Sequence, residues 1–152
     1  MTFSLTGKAG TKLVPEKTFT SRRRSLRRRK LQKYDDIKAN PRVLEAGLSS
    51  VDPITLNSRW SDTYFSNGNP LVLELGCGKG DYTVNLARRH RDRNFIGIDV
   101  KGDRIWYGAE TVNGENIRNA LFLRMQINHL EHYFPEKSVS EMWITFPDPH
   151  LK

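Results

Sequence analysis

In Leu71-Val72-Leu73-Glu74-Leu75-Gly76-Cys77-Gly78-Lys79-Gly80 a short apolar run carries an acid near its end and opens into three glycines at alternate positions. That is the pattern of a buried strand turning sharply into a helix, because glycine adopts positive φ without the penalty a Cβ imposes. Working outward, the same rhythm repeats. Short apolar runs predict strands at 71–75, 94–99, 120–125 and 140–146, and amphipathic runs predict helices at 81–90, 103–113 and 128–134. Ile105, Ala109 and Val112 fall at i, i+4 and i+7, and Asn113-Gly114 supplies a stop. Alternation of this kind implies an α/β fold with a mostly parallel sheet, since parallel strands require a crossover and the crossover is right-handed. Ligands of such sheets bind at the carboxyl ends of the strands.

Three motifs stand at those ends. In the first, Gly76 and Gly78 permit close approach of a ligand to the main chain, but Gly76-x-Gly78-x-Gly80 departs from the dinucleotide spacing, which has two residues before its third glycine. Glu74 beside the loop suits a cationic ligand better than a pyrophosphate. S-adenosylmethionine carries a sulfonium and an ammonium and no phosphate, so Glu74 reads as part of the subsite for its amino-acid end; the alternative is that Glu74 orients the loop by hydrogen bonds. The second motif is Asp99, 23 residues after Gly76, where an acid accepts hydrogen bonds from ribose hydroxyls. A helix-capping role there is expected of Asp103 instead. The third is Thr145-Phe146-Pro147-Asp148-Pro149, in which two prolines fix a loop around one carboxylate.

Composition bounds the rest. The chain has 152 residues, sized for one domain, with 37% hydrophobic and 28% charged residues and a formal net charge of +8. Residues 1–40 hold 12 Lys or Arg against 3 Asp or Glu, whereas residues 41–152 hold 13 against 14. The basic excess is therefore N-terminal. A lone Cys77 excludes an internal disulfide and a Cys-rich zinc site, and fits a reducing compartment such as the cytoplasm. Apolar runs such as Leu71–Leu73 are too short to span a bilayer. His129 and His132, at i and i+3, lack the further ligands a metal needs, so no metal is expected. Trp106 and Trp143 each sit in an apolar element and read as core.

Leu73–Gly80, Asn94-Phe95-Ile96-Gly97-Ile98-Asp99 and Phe146-Pro147-Asp148-Pro149, in this order and spacing, resemble the tRNA (guanine-N(7)-)-methyltransferase family over roughly residues 58–152; Lys30–Val43 is similar to the family's lead-in. The resemblance implies a Rossmann-like class I methyltransferase sheet with the predicted strands in the order 3-2-1-4. It implies S-adenosyl-L-methionine as cofactor, contacted by Glu74, Gly76, Gly78 and Asp99. It places Gln126 where the family usually has a cofactor-contacting Asp or Asn; glutamine keeps the amide on a longer stem. It makes Asp148 the active-site acid, bordering the cofactor as well, on a loop that receives the target base. It puts Lys152 on a substrate-binding lysine and makes tRNA the partner, methylated at nitrogen 7 of guanosine 46.

Two features depart from the family. Residues 1–33, with Arg22-Arg23-Arg24-Ser25-Leu26-Arg27-Arg28-Arg29-Lys30, read as a solvated tail, a tRNA-backbone contact or an organelle transit peptide, and a basic run does not choose among these. Residues 34–69 then form a lead-in with a short helix near 58–65, and residues 70–152 the cofactor-binding domain. The family continues beyond the position of Lys152, so the chain is expected to be a fragment, its fourth predicted strand an open edge and its activity weak or absent. Another class I nitrogen methyltransferase and a non-catalytic RNA-binding fragment are the rival readings. A nicotinamide oxidoreductase is disfavoured by the glycine spacing and the proline loop.

Overall fold

The computed structural model describes residues 19–46 and 60–145, with side chains from Leu26 onward. Five parallel strands form one sheet: β1 (Val43–Glu45), β2 (Leu71–Leu75), β3 (Asn94–Asp99), β4 (Ala120–Arg124) and β5 (Glu141–Ile144), in the order β1-β4-β3-β2-β5. The four strands expected from the sequence lie in the expected order. β1 is an addition, three residues long and placed outside β4, with Val43 opposite Phe122. Too short to show a period, it carries no signal that separates it from a loop.

β2, β3 and β4 are buried on both faces, as parallel strands between helical layers are, and successive residues point to opposite layers. Val72, Phe95, Ala120 and Phe122 join Val84, Ala87, Ile105, Ala109 and Val112 under helices α2 (Asp81–Arg89) and α3 (Gly102–Gly114). Leu71, Leu73, Leu75, Ile96, Ile98, Leu121 and Leu123 face the other layer, made by Trp60, Phe65, Met125, Tyr133 and Phe134. There the lead-in contributes a single π-helical turn, Ser61–Phe65, and α4 (Leu130–Tyr133) follows a short 3-10 turn at Ile127–His129. Trp60 fastens the two pieces: its indole N–H donates to the Tyr133 carbonyl at 2.8 Å and its ring stacks on Phe134 at 4.7 Å.

Phe122 occupies the centre of the first layer. A Cβ built on Gly80, Gly97 or Gly108 would come within 2.4, 2.8 and 2.4 Å of its ring. Three glycines thus let the loop before α2, the middle of β3 and the middle of α3 close around one phenyl group.

The structure departs from expectation in three places. Helix α1 runs from Phe19 to Ala39, across the boundary drawn at Lys33 between solvated tail and lead-in. Arg, Lys, Leu and Gln are strong helix formers, and Ile37 and Tyr34 pack on Gly102 at the start of α3, which anchors the helix that charge alone would leave open. Trp143 is 42% exposed rather than core, because β5 lies at the end of the sheet and, among the described residues, pairs with β2 alone. Asp103 does not cap α3, which starts at Gly102 without a side-chain cap; Asp103 lies inside the first turn and meets Lys30 at 3.7 Å. Among the described residues no helix is long and apolar enough to cross a membrane.

Gly108→Ala and Gly114→Ala both replace a glycine of α3 with a better helix former, worth up to about 1 kcal/mol. A Cβ at 108 meets Phe122 and the Lys79 carbonyl, whereas one at 114 meets nothing within 4 Å. Gly114→Ala should therefore leave stability unchanged or raise it slightly, and Gly108→Ala should lower it by about 1–3 kcal/mol. Urea unfolding of the two variants reads the difference.

Candidate cofactor site

Glu74, the glycine loop, Asp99 and Gln126 come together because β2, β3 and β4 are adjacent and parallel, so their carboxyl ends share one rim. All three loop glycines take left-handed conformations, with φ of 71° at Gly76, 57° at Gly78 and 79° at Gly80. The loop is bound to its neighbour strand: Gly76 and Cys77 N–H both donate to the Ile98 carbonyl, at 2.8 and 2.9 Å, and Gly80 N–H donates to the Cys77 carbonyl at 2.9 Å. Gly78 N–H donates to Asp99 Oδ2 at 3.0 Å. Four amides that a phosphate-binding loop would turn toward its ligand are thus engaged inside the protein.

Asp99, 9% exposed, also takes the Lys101 N–H on Oδ1 at 2.8 Å. Each oxygen accepts one backbone donor and keeps a second lone pair, which leaves capacity for ligand hydroxyls. Glu74 points into the helical layer, beneath the start of α2, and is 5% exposed. Its Oε2 accepts both the backbone N–H (2.9 Å) and the hydroxyl (2.6 Å) of Thr83 in the first turn of α2, and its Oε1 accepts the Thr145 hydroxyl at 3.1 Å. These bonds anchor the end of β2 to the first turn of α2. They also tie the glycine loop to the residue just before Phe146. Thr83 escaped the sequence reading and Thr145 entered it only as the start of the third motif, since a threonine carries no local sign of a partner 9 or 71 residues away.

Gln126 follows β4 in extended conformation and is exposed, its side chain making no capping bond. Met125 N–H donates to the Asp99 carbonyl at 3.2 Å, which sets Gln126 beside the end of β3. Phe146, Pro147, Asp148, Pro149 and Lys152 lie outside the described residues.

The electrostatics of this rim are negative. Cys77 is buried between the two acids, and its thiol is pushed well above its ordinary value first by burial, then by the charges of Glu74 and Asp99. A rim that holds two buried carboxylates and keeps its amides occupied suits a cationic group and disfavours a phosphate.

A family described as "Putative methyltransferase" matches residues 68–152. The chain belongs to that family. It is 56% identical over 97 residues to a tRNA (guanine-N(7)-)-methyltransferase of Christiangramia forsetii, covering 64% of this chain and 43% of that protein. It is 45% identical over 125 residues to a tRNA (guanine-N(7)-)-methyltransferase of Bacteroides fragilis, covering 81% of this chain and 50% of that protein. The chain thus spans about half the length of the curated relatives it matches. Among solved structures it resembles a 30S ribosomal A1408 methyltransferase from an uncultured bacterium, with TM-score 0.51 and 22% identity over 67% of this chain and 48% of the other. That likeness supports the Rossmann-like methyltransferase fold.

Because the folded state raises the Cys77 pKa, it favours the protonated thiol. The contribution is complete below the unfolded thiol's pKa of about 8.5 and declines as pH rises through and above it. At pH 8 the native thiol should react with a disulfide reagent far more slowly than the urea-unfolded chain does, a difference followed by absorbance. Equal rates would contradict the burial and the negative surroundings.

Proposed function

We propose that this chain binds S-adenosylmethionine at the β2–β3–β4 rim and belongs to an enzyme that methylates nitrogen 7 of guanine in tRNA, at guanosine 46. The observation that carries the proposal is the 56% identity to a tRNA (guanine-N(7)-)-methyltransferase across 97 residues, joined to a glycine loop whose charge suits a sulfonium. When bound, S-adenosylmethionine supplies a methyl group on positively charged sulfur, and its transfer forms an N7–carbon bond while the carbon–sulfur electron pair leaves with sulfur.

Asp99 holds the ribose hydroxyls through its second lone pairs, and the loop at Gly76 and Gly78 admits the amino-acid end beside Glu74. Gln126 offers its amide to the adenine end. Nitrogen 7 of guanine already has an in-plane lone pair and bears no proton, so no strong general base is needed. Positioning and electrostatic support of the cationic product supply the rate. Asp148 takes the donor edge of the base and offsets the charge that develops on it; Lys152 contacts the tRNA.

Calorimetry should show binding of S-adenosylmethionine or its demethylated product and none of NAD. Glu74→Ala and Asp99→Ala should each weaken that binding by about 1–3 kcal/mol, the scale of lost charge-assisted hydrogen bonds. Unchanged affinity in both variants removes the site. In the family-length protein, Asp148→Asn should lower methyl transfer far more than tRNA affinity, measured with labelled cofactor. Mass spectrometry of digested tRNA should find 7-methylguanosine, and any other methylated base would refute the substrate assignment.

A further inference from the structure

On the other side of the glycine loop the charge reverses. Lys79 turns away from the two carboxylates and sets its ammonium 5.2 Å from the centre of the Tyr107 ring, on α3. Lys33, from α1, lies over the same ring at 3.8 Å and over Trp106 at 4.6 Å. Tyr107 is 43% exposed and stands in the wall of two cavities. One, of about 310 Å³, runs between α2 and α3 past Lys79, Asn85 and Arg88. The other, of about 540 Å³, runs between α1 and α3 past Leu26, Arg29, Lys30, Lys33 and Trp106.

Leu26, Arg29, Lys30 and Lys33 recur at i, i+3, i+4 and i+7, so one face of α1 supplies the groove's basic wall. Cations therefore line a path from the glycine loop across Tyr107 and along α1. Acids on the path are Asp81 in the first cavity, where Glu115 also pairs with Arg88, and Asp103 in the second, the latter already 3.7 Å from Lys30, so among the described residues the unneutralised cations are Lys79, Lys33 and Arg29. Asp36 accepts the Trp106 indole N–H at 3.0 Å and so holds α1 against α3. The Tyr107 phenol registers the net sign: Lys33, by hydrogen bonding first and by its charge second, holds it below its ordinary value, and Lys79 adds to the effect.

We propose that this α1–α3 groove, centred on Tyr107, docks the phosphate backbone of the RNA substrate. The proposal rests on the tRNA reading above and adds to it the surface that receives the polyanion. An RNA backbone fits because the groove is long, open and basic, with aromatic rings that hold two ammonium groups in place rather than acids that neutralise them. Each phosphate contacted releases condensed counterions, so the groove contributes a salt-sensitive part of affinity. On the same helix, the Arg22–Arg24 block lies N-terminal to the groove and continues the basic sequence.

The test is binding of a fluorescently labelled, unmodified tRNA transcript by this chain across a salt series, with cofactor affinity measured in parallel by calorimetry. Lys30→Ala/Lys33→Ala should lower the slope of log affinity against log salt by roughly 1–2 units, the scale for losing two phosphate contacts. Arg91→Ala/Lys137→Ala, which removes as much charge outside the groove, should leave the slope unchanged. Tyr107→Leu should weaken RNA binding, since it removes both the ring face and the hydroxyl that hold Lys33. Circular dichroism confirms that each variant is folded. An unchanged slope in the Lys30/Lys33 variant, or an equal loss in the Arg91/Lys137 control, overturns the proposal. Cofactor binding without any tRNA binding by the parent chain also overturns it, and leaves the cofactor site standing. Loss of cofactor binding in Glu74→Ala with RNA binding intact separates the two sites.

Discussion

Contact of three glycines with the Phe122 ring is the constraint on which the rest of the structure depends. The ring reaches the last residue of the glycine loop, the middle of β3 and the middle of α3 at once. Any side chain at Gly80, Gly97 or Gly108 would have to displace the ring or part the elements, and close-packed interiors resist both. With the ring seated, α2 and α3 lie close over the sheet, and the loop, left-handed at Gly76, Gly78 and Gly80, turns its amides toward Ile98 and Asp99. The chemistry of the rim follows from that packing. A loop held this way has its donors engaged and its carboxylates buried, so what it offers a ligand is negative charge and open lone pairs.

Glu74 shows how one side chain can serve both stability and site. Its carboxylate holds the first turn of α2 through Thr83 and reaches Thr145 at the end of β5. A buried charge without partners would be strongly unfavourable, and three donors remove that cost. The same three bonds fix the carboxyl end of β2 relative to the start of α2 and to Thr145, the residue after β5.

The strands and the glycine loop were legible because they rest on local composition, namely apolar runs of fixed length and positive-φ residues, whereas the sheet order came from the family resemblance. What was not legible rests on contacts distant in sequence. β1 is a strand only because β4 offers it an edge, and α1 is ordered where Tyr34 and Ile37 meet Gly102. Asn119 looks like any loop asparagine, yet its amide donates to the carbonyls of Ala87, His90 and Arg93 at 3.0, 3.0 and 2.9 Å and fastens the end of α2 to the start of β3. Asn94 likewise joins Ser61 and Asn67 of the lead-in. For the candidate site, Glu74 and Asp99 were singled out by their places at strand ends and Gln126 by the family resemblance, whereas Thr83 had no such marker.

Charge is divided across the glycine loop, and the division has a mechanical origin. Gly76 and Gly78 are on the carboxylate side, where burial and two acids raise the Cys77 thiol; Lys79 lies between Gly78 and Gly80, and its side chain leaves on the opposite side, toward Tyr107. Left-handed conformations on both flanks of Lys79 direct that side chain away from the rim, so one short loop presents a negative face on one side and a positive face on the other. Nearby opposite charges would otherwise cancel, and separation by the loop backbone and the packed Phe122 layer keeps each field on its own side. Under the proposed methyl transfer from a sulfonium to RNA, this arrangement would let both ligands be held near one loop without the lysines repelling the cofactor or the acids repelling the phosphates.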